Sequence, residues 1–350
     1  MSESTPSRYP NWLYTFIPNH EVRVTPVIIS INVIVFIAMV ASGVSPYGPT
    51  VEEALRWGAA NNPLVREGEY WRLIASNYGH FGIMHLLMNM LALNNIGRGL
   101  ERFVGPWRFA LIYTVTGIFA SCVSIWWHPF SAGMGASGAI CGILGLLTAL
   151  LTTNLIEKTA RKQMLRSIGL TVALMVVLGI SIPEIDNAAH FGGLLAGAIC
   201  GYCIYPELRA FFYQRKIQYT GLIIGLVITA AGGVALVWQV QSSPRSAYTI
   251  EQDMRWKMEE LNGLEITKEN ISNRIIPVYE DGLRKIDTIL GQEISAEARE
   301  QYEIMREQVE ARLKHYQYLG KWMQSNDSAD YDSAMYWKNR PVPSSSSANQ

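Results

Sequence analysis

Seven apolar runs divide the first two thirds of the chain. They are Pro26–Val44, Phe81–Ile96, Phe109–Trp127, Ser137–Ile156, Ser167–Ile182, Asn187–Tyr205 and Thr220–Val240. A helix needs about 20 mostly apolar residues to cross a bilayer, and these runs approach that length. The pattern therefore predicts an all-α, polytopic transmembrane helix bundle of seven spans. The second and fifth runs are the shortest, so they define their spans least clearly.

The pattern changes near residue 241, where Glu, Lys and Arg become frequent. Apolar residues at helical spacing between these charges predict soluble helices over Ile250–Leu261 and Ala296–Trp322. Pro277 is predicted to break the segment between them. The chain ends in a serine-rich stretch of low complexity, which we expect to be disordered.

The composition agrees with a membrane domain followed by a soluble tail. Apolar residues make up 49% of the 350 residues and charged residues 17%, whereas soluble domains carry about 25% charged residues. The formal net charge is zero, which gives no reason to expect a nucleic-acid partner. We predict a cytoplasmic N-terminal segment at 1–25, a six-span core at 26–206, a loop and seventh span at 207–240, an extracytoplasmic helical tail at 241–337 and a disordered terminus at 338–350.

Basic residues on alternate loops orient the spans. The loops after the second, fourth and sixth runs carry clusters of Arg and Lys within Arg98–Arg108, Lys158–Arg166 and Arg209–Lys216. The short loops on the other side carry none. Because cytoplasmic loops hold the excess of Lys and Arg, we expect a cytoplasmic N-terminus and an extracytoplasmic tail. A bacterial plasma membrane is the expected location.

Three of the runs contain polar groups that are expensive in a membrane and therefore indicate function. The second holds His85 and Asn89, one helical turn apart. The fourth begins at the motif Gly135-Ala136-Ser137-Gly138, and the sixth has His190 in its first turn. All three spans run in the same direction, so these groups lie at a similar depth near the extracytoplasmic surface.

This set of residues fits acyl transfer. A serine hydroxyl becomes a strong nucleophile when a neighbouring imidazole takes its proton, which Ser137 and His190 provide if their helices touch. Small residues on both helices, including Gly138 and Gly193, permit such an approach. The Ser137 backbone N–H, with Asn89 and His85, could donate to the oxyanion.

Other interpretations exist for each residue. Intramembrane serine usually bonds to its own helix, and Asn89 could join helices. A transporter could line a path with His85, Asn89 and His190, although the inner halves of the spans are nearly bare of ionisable residues. A metal site of His80, His85 and His190 would lack a carboxylate partner within a span.

An ordered set of motifs resembles the rhomboid family of intramembrane serine proteases. It comprises Gly68-x-x-Trp71-Arg72, His80, His85-x-x-x-Asn89, Gly97-x-x-x-Glu101, Gly135-Ala136-Ser137-Gly138 and Ala189-His190-x-x-Gly193. The resemblance covers roughly residues 26–206. It implies a six-helix core, here followed by a seventh C-terminal span, with a Ser–His dyad in a water-filled cavity.

The resemblance also implies roles for individual residues. Ser137 is the expected nucleophile and His190 the general base, while His85, Asn89 and the Ser137 backbone stabilise the oxyanion. The matching supporting positions are Gly135, Gly138, Gly193, Trp71, Arg72 and Glu101. The implied partners are the lipid bilayer and single-span membrane proteins, which are cut within or beside the membrane. No metal or cofactor is expected. The resemblance includes no third acid, so Glu184 and Asp186 are expected to be solvated loop charges.

One position departs from the family pattern. Family members often carry an aromatic residue four positions after the serine, where it stacks on the histidine, and this chain has Cys141 there. The support for His190 must then be weaker or come from elsewhere. A catalytically inactive, rhomboid-like binder of membrane proteins is the alternative function, although such proteins typically lack the serine or the histidine. The tail could bind an extracytoplasmic partner.

Overall fold

The chain folds into helices arranged in two compact units, Met1–Ser243 and Pro244–Gln350. The computed structural model describes residues 15–340 except for 129–130, 183–184, 214–218, 243–256, 258–260, 262–263 and 292–295. The predicted helix Ile250–Leu261 therefore lies almost wholly outside the described residues, as do residues 341–350.

The first unit contains eleven α-helices in its described part. Their bounds are α1 Val24–Ala41, α2 Val51–Arg56, α3 Asn62–Arg66, α4 Arg72–Ala75, α5 Ile83–Ala92, α6 Arg98–Val104, α7 Pro106–Trp127, α8 Ser137–Leu151, α9 Lys158–Ser181, α10 Asn187–Phe212 and α11 Thr220–Ser242. Five of them, α1, α7, α9, α10 and α11, are long and apolar enough to cross a membrane. The prediction of an all-α polytopic bundle is confirmed.

Several helix ends differ from the prediction. A π-helical turn at Leu93–Gly97 joins α5 to α6. The helix of the second span therefore continues into the charged segment α6. Helix α9 begins at Lys158 because the Glu157 side chain accepts hydrogen bonds from the backbone N–H groups of Thr159 and Ala160. Helix α10 continues through Pro206, where the prediction ended the sixth span. Bundle helices tolerate such a proline because neighbouring groups satisfy the freed backbone.

Helix α8 is the centre of the first unit. Most of its residues are buried, and it contributes Ala139, Ile143 and Leu146 to the main apolar core. Its 15 residues span about 22 Å at 1.5 Å per residue, less than the roughly 30 Å of a hydrocarbon layer. A helix this short cannot present both of its ends at the two membrane surfaces. Other helices of the first unit enclose it, since most of its residues are buried.

A buried carboxylate fixes the start of α1. Glu101 on α6 is fully buried and accepts hydrogen bonds from the backbone N–H groups of Arg23, Val24 and Thr25 at 2.6, 2.8 and 2.8 Å. The Thr25 hydroxyl donates to the same carboxylate at 2.8 Å. The first N–H groups of a helix have no partner within the helix and carry partial positive charge, so an anion there is well placed.

The loop between α1 and α5 is held by a buried arginine. Arg72 donates to the Glu69 carboxylate at 2.7 Å and to the Leu55 carbonyl at 2.6 Å, and its guanidinium lies 4.6 Å from the ring centroid of Trp71. Nearby, strand β1 (Ala60–Asn61) pairs antiparallel with β2 (Ala132–Gly133). The long first loop is therefore joined to the segment that leads into α8.

The seventh span is attached to the core by a second buried acid. Glu207 on α10 accepts a hydrogen bond from the Leu222 N–H at 2.7 Å and lies 3.4 Å from the Arg108 guanidinium. Helix α11 packs closely, because a Cβ atom at Gly221 or Gly225 would meet atoms of Cys203 on α10. The seventh span is thus an integral part of the first unit.

The second unit is a small helical domain with its own apolar core. In its described part it contains α12 Lys268–Asn270, α13 Ile276–Leu290, α14 Ala296–Ser325 and α15 Ser328–Asn339. The core is formed by Ile271, Ile275, Tyr279, Ile286, Ile289, Tyr302, Val309 and Leu313. The helix predicted at Ala296–Trp322 is present. The last helix ends at Asn339, two residues inside the segment predicted to be disordered.

The predicted break at Pro277 is wrong. A π-helical turn, Ile271–Ile275, connects α12 to α13, and Pro277 lies in the first turn of α13. Proline is tolerated in a first helical turn, and a π-turn widens the helix before it. The helical run from Lys268 to Leu290 is therefore continuous.

Replacing Glu101 by alanine tests the carboxylate at the start of α1. The change leaves buried N–H groups without an acceptor, and hydrogen bonds to a charged group are worth about 1.5–3 kcal/mol each, so we expect a loss of roughly 3 kcal/mol in unfolding free energy. Thermal unfolding in detergent measures it.

The matched control is Glu52→Ala, which removes an exposed carboxylate 3.8 Å from Arg56. Exposed pairs contribute less than about 1 kcal/mol, so this variant should unfold like the wild type. Equal melting of the Glu101 and Glu52 variants would show that the buried carboxylate does not hold α1.

Candidate active site

Ser137 and His190 form a hydrogen-bonded pair. Ser137 is the first residue of α8 and His190 lies in the first turn of α10, and the Ser137 Oγ is 3.0 Å from the His190 Nε2. Ser137 is half-buried and His190 is buried. The structure thus brings together the two residues that the sequence predicts as nucleophile and base.

Close packing of α8 and α10 makes this contact possible. A Cβ atom at Gly193 would lie 2.1 Å from the Gly138 carbonyl oxygen, and one at Gly197 would lie 1.8 Å from the Gly142 carbonyl oxygen. Only glycine permits two helix backbones to approach so closely. A serine side chain reaches only a short distance from its backbone, so the hydrogen bond depends on this packing.

His85 lies against the turn that precedes Ser137. A Cβ atom at Gly135 would lie 2.7 Å from His85 Cε1 and 3.0 Å from its Nε2, so glycine is required for the ring to pack there. His85 is half-buried on α5. His85 and Gly135, which the sequence analysis named separately, are therefore in contact beside Ser137.

Asn89 lies one turn further along α5 and is buried. Its Nδ2 donates to the His85 carbonyl oxygen at 2.9 Å. This bond fixes the side chain on the same helix as His85 and leaves a second N–H on the amide nitrogen. A role for Asn89 in stabilising an oxyanion remains a prediction.

His80 is hydrogen-bonded to the same turn. It is fully buried, its Nε2 accepts from the Ala136 N–H at 3.5 Å, and its ring meets His85 edge-on with 5.1 Å between centroids. The Gly135 N–H donates to the Ser76 carbonyl oxygen at 2.8 Å. The backbone on both sides of the turn is therefore fixed by the segment before α5.

The expectation that Asp186 is a solvated loop charge is wrong, and Glu184 lies outside the described residues. The Asp186 Oδ1 accepts a hydrogen bond from the Ala189 N–H at 2.9 Å, and this bond caps α10. Its Oδ2 accepts a hydrogen bond from the Ser124 hydroxyl of α7. The signal was present in the sequence, because aspartate directly before an apolar helical run is a preferred N-cap.

The remaining predicted residues lie in supporting contacts. Trp71 and Arg72 belong to the first-loop network and Glu101 to the start of α1, as described above. Gly138 faces α7, where a Cβ atom would lie 2.7 Å from that of Ala120. Within the described ranges, no group of three or more His, Cys, Asp or Glu side chains is placed to hold a metal ion.

Comparisons with known proteins identify the chain. A family model described as the Rhomboid domain matches residues 67–207. RHOMBOID-like protein 5 of Arabidopsis thaliana is 37% identical over 227 residues, which cover 56% of this chain and 72% of that protein. The chain belongs to the rhomboid family.

Two bacterial relatives extend the comparison. The chain is 33% identical over 215 residues to Rhomboid protease GluP of Bacillus subtilis (strain 168), covering 60% of this chain and 40% of that one. It is 29% identical over 211 residues to Rhomboid protease AarA of Providencia stuartii, covering 53% of this chain and 74% of that one. The match thus spans less than half of GluP.

In the described part of the rhomboid core, the histidine of the pair has no aromatic partner. Cys141 is fully buried on α8, and among the described residues no aromatic ring is stacked on His190. The His190 Nδ1 is buried and has no hydrogen-bond partner in the described part of the chain. What holds the imidazole is therefore its helix, its packing and the bond to Ser137.

Replacing Gly193 by alanine tests the close packing. The added methyl would clash with the Gly138 carbonyl oxygen, so α8 and α10 must separate. We expect the free energy of unfolding to fall by about 3 kcal/mol, as for other overpacked cores. The measurement is thermal unfolding in detergent.

Gly169→Ala is the matched control, because a Cβ atom at Gly169 of α9 would meet no atom within 4 Å. Alanine is the better helix former by about 1 kcal/mol, so this variant should unfold at the wild-type temperature or above. A Gly193 variant as stable as the Gly169 variant would contradict the requirement for close backbone contact.

Proposed function

We propose that this rhomboid is an intramembrane serine endopeptidase that cleaves single-span membrane proteins within or beside the membrane. The observation that carries the proposal is the 3.0 Å contact between the Ser137 Oγ and the His190 Nε2. This is the distance at which an imidazole can take the hydroxyl proton as the oxygen attacks a carbonyl. The protease names of GluP and AarA agree with the proposal.

The chemistry follows from the two positions. The Ser137 proton passes to His190 Nε2 while Oγ bonds to the scissile carbonyl carbon, which gives a tetrahedral intermediate with a negatively charged oxygen. Collapse of this intermediate expels the amine, which takes the proton from His190, and leaves an acyl-enzyme. Water, activated by the same imidazole, then releases the second product and restores Ser137.

Three groups are candidates to stabilise the oxyanion. Ser137 is the first residue of α8, so its N–H is one of the four that have no acceptor within the helix. The His85 ring lies against Gly135, and Asn89 keeps a second amide N–H. Fixed donors of this kind each lower the barrier by about 3 kcal/mol when they face the developing charge.

The depth of the site supports a membrane substrate. Helix α8 is too short to span the hydrocarbon layer, so Ser137 lies at or below the level where lipid meets water if the other end of α8 is near the cytoplasmic surface. A carbonyl in a regular transmembrane helix is hydrogen-bonded within that helix. A substrate must therefore unwind locally to reach Ser137, which favours helix-destabilising residues near the cut.

Cleavage of a model single-span substrate by the purified protein tests the proposal. Wild type should cut it, and Ser137→Ala and His190→Ala should each lose at least about a thousandfold in kcat, because the two groups act as a unit. The matched controls are Ser30→Ala, whose hydroxyl donates to its own helix at Pro26, and His128→Ala, which changes an exposed histidine.

Two outcomes would count against the proposal. Cleavage by the Ser137 variant would remove the serine from the mechanism. A folded wild-type protein that cuts none of several substrates would favour a membrane-protein binder that does not cleave.

The proposed orientation places the N-terminus in the cytoplasm and the tail outside, in a bacterial plasma membrane, because the basic residues cluster on alternate loops. A cysteine at Ser328, which is exposed in the second unit, should react with an impermeant maleimide on intact spheroplasts. A cysteine at Lys158, exposed at the start of α9, should react only after lysis. The reverse pattern would invert the topology.

A further inference from the structure

We propose that Asp186 is a positioning residue that aligns His190 with Ser137. The proposal rests on the proposed function, since it concerns how the base is held. Asp186 contacts neither the serine nor the imidazole by a hydrogen bond described in the structure. It bonds the backbone that carries His190 and lies near the segment that leads to Ser137.

The first contact of Asp186 is with the helix of His190. Its Oδ1 accepts from the Ala189 N–H at 2.9 Å, and its carbonyl oxygen accepts from the His190 N–H at 3.1 Å. His190 therefore lies in the single turn that this cap holds. Without the cap, the first turn of a helix frays readily, because its N–H groups lose their acceptor.

The second contact ties that turn to the neighbouring helix. The Asp186 Oδ2 accepts from the hydroxyl of Ser124, which is buried on α7. The same carboxylate thus bonds α10 through one oxygen and α7 through the other. A cap that also bonds to a second helix fixes both the shape of the first turn and its place in the bundle.

The carboxylate of Asp186 also lies near the segment that leads to Ser137. Gly133 of β2 lies beside both partners, since a Cβ atom there would be 3.3 Å from the Ser124 Oγ and 3.7 Å from the Asp186 Oδ2. Only Met134, Gly135 and Ala136 separate this glycine from Ser137. One carboxylate therefore lies between the approach to the nucleophile and the helix of the base.

A direct role as the third member of a triad does not fit the contacts. Such an acid accepts from the Nδ1 of the catalytic histidine, whereas the His190 Nδ1 has no hydrogen-bond partner among the described residues. Both Asp186 oxygens are already engaged. With no aromatic ring stacked on His190 among those residues, the position of the base depends more heavily on its first helical turn.

The test compares Asp186→Ala with Asp186→Asn in the cleavage of a model single-span substrate. The alanine variant should lose about tenfold to a hundredfold in kcat with little change in KM, because small misplacements of a reacting group have effects of that size. The asparagine variant should retain most of the wild-type kcat, since its amide oxygen can cap α10 and its amide N–H can donate to Ser124.

The matched control is Glu157→Ala, which removes the same kind of cap from α9. It should lower the unfolding temperature to a similar extent and leave kcat unchanged. Ser124→Ala, which removes only the bond to α7, should give a smaller loss of kcat than Asp186→Ala. This variant also keeps the test open if Asp186→Ala does not fold.

Hydrogen exchange over residues 187–193 tests the positioning without cleavage. Exchange should be faster in Asp186→Ala than in wild type and near wild type in Asp186→Asn. The proposal is overturned if Asp186→Ala keeps the wild-type kcat and exchange, or if Asp186→Asn is as impaired as Asp186→Ala, which would assign the effect to charge. An inactive wild type with the expected exchange pattern would instead reject the proposed function alone.

Discussion

Direct contact between the backbones of α8 and α10 is the constraint on which the rest of the structure depends. At positions 138, 142, 193 and 197, glycines let the two backbones meet with no side chain between them. Helices at ordinary separations of about 8–10 Å are kept apart by interdigitated side chains, and a serine hydroxyl could not then meet a histidine on the neighbouring helix. In a bilayer, where apolar burial gives little drive for helix association, this dense packing also holds the bundle together.

Buried ionic groups at the edges of the bundle keep that central contact aligned. Glu101 fixes the start of α1, Arg72 holds the first loop, and Glu207 binds the start of α11. Each charge is paired or accepts several hydrogen bonds, which offsets the large cost of removing an ion from water. None of these contacts involves Ser137 or His190. Among the described residues, the charged side chain that bonds to the first turn of the His190 helix is Asp186.

Much of the fold and the central pair could be predicted from the sequence, for physical reasons. Hydrophobic length located the spans, and the shared depth of Ser137 and His190 between small residues predicted their contact. Helix ends were harder, because hydrophobic length does not predict a polar first turn capped by Glu157 or a helix that continues through Pro206. The break at Pro277 was wrong because this proline lies in the first turn of α13, where proline is tolerated. Asp186 was missed because a loop charge and a helix cap look alike until the partner N–H is located.

The central claim is that His190 makes Ser137 a nucleophile, and covalent trapping tests it most directly. The full-length protein in detergent is treated with a fluorophosphonate, digested and analysed by mass spectrometry. The account predicts one adduct on the peptide containing Ser137, at least about a hundredfold slower in His190→Ala, since the hydroxyl is weak without its base. No adduct at Ser137 in the folded protein, or equally fast labelling in His190→Ala, would contradict the account.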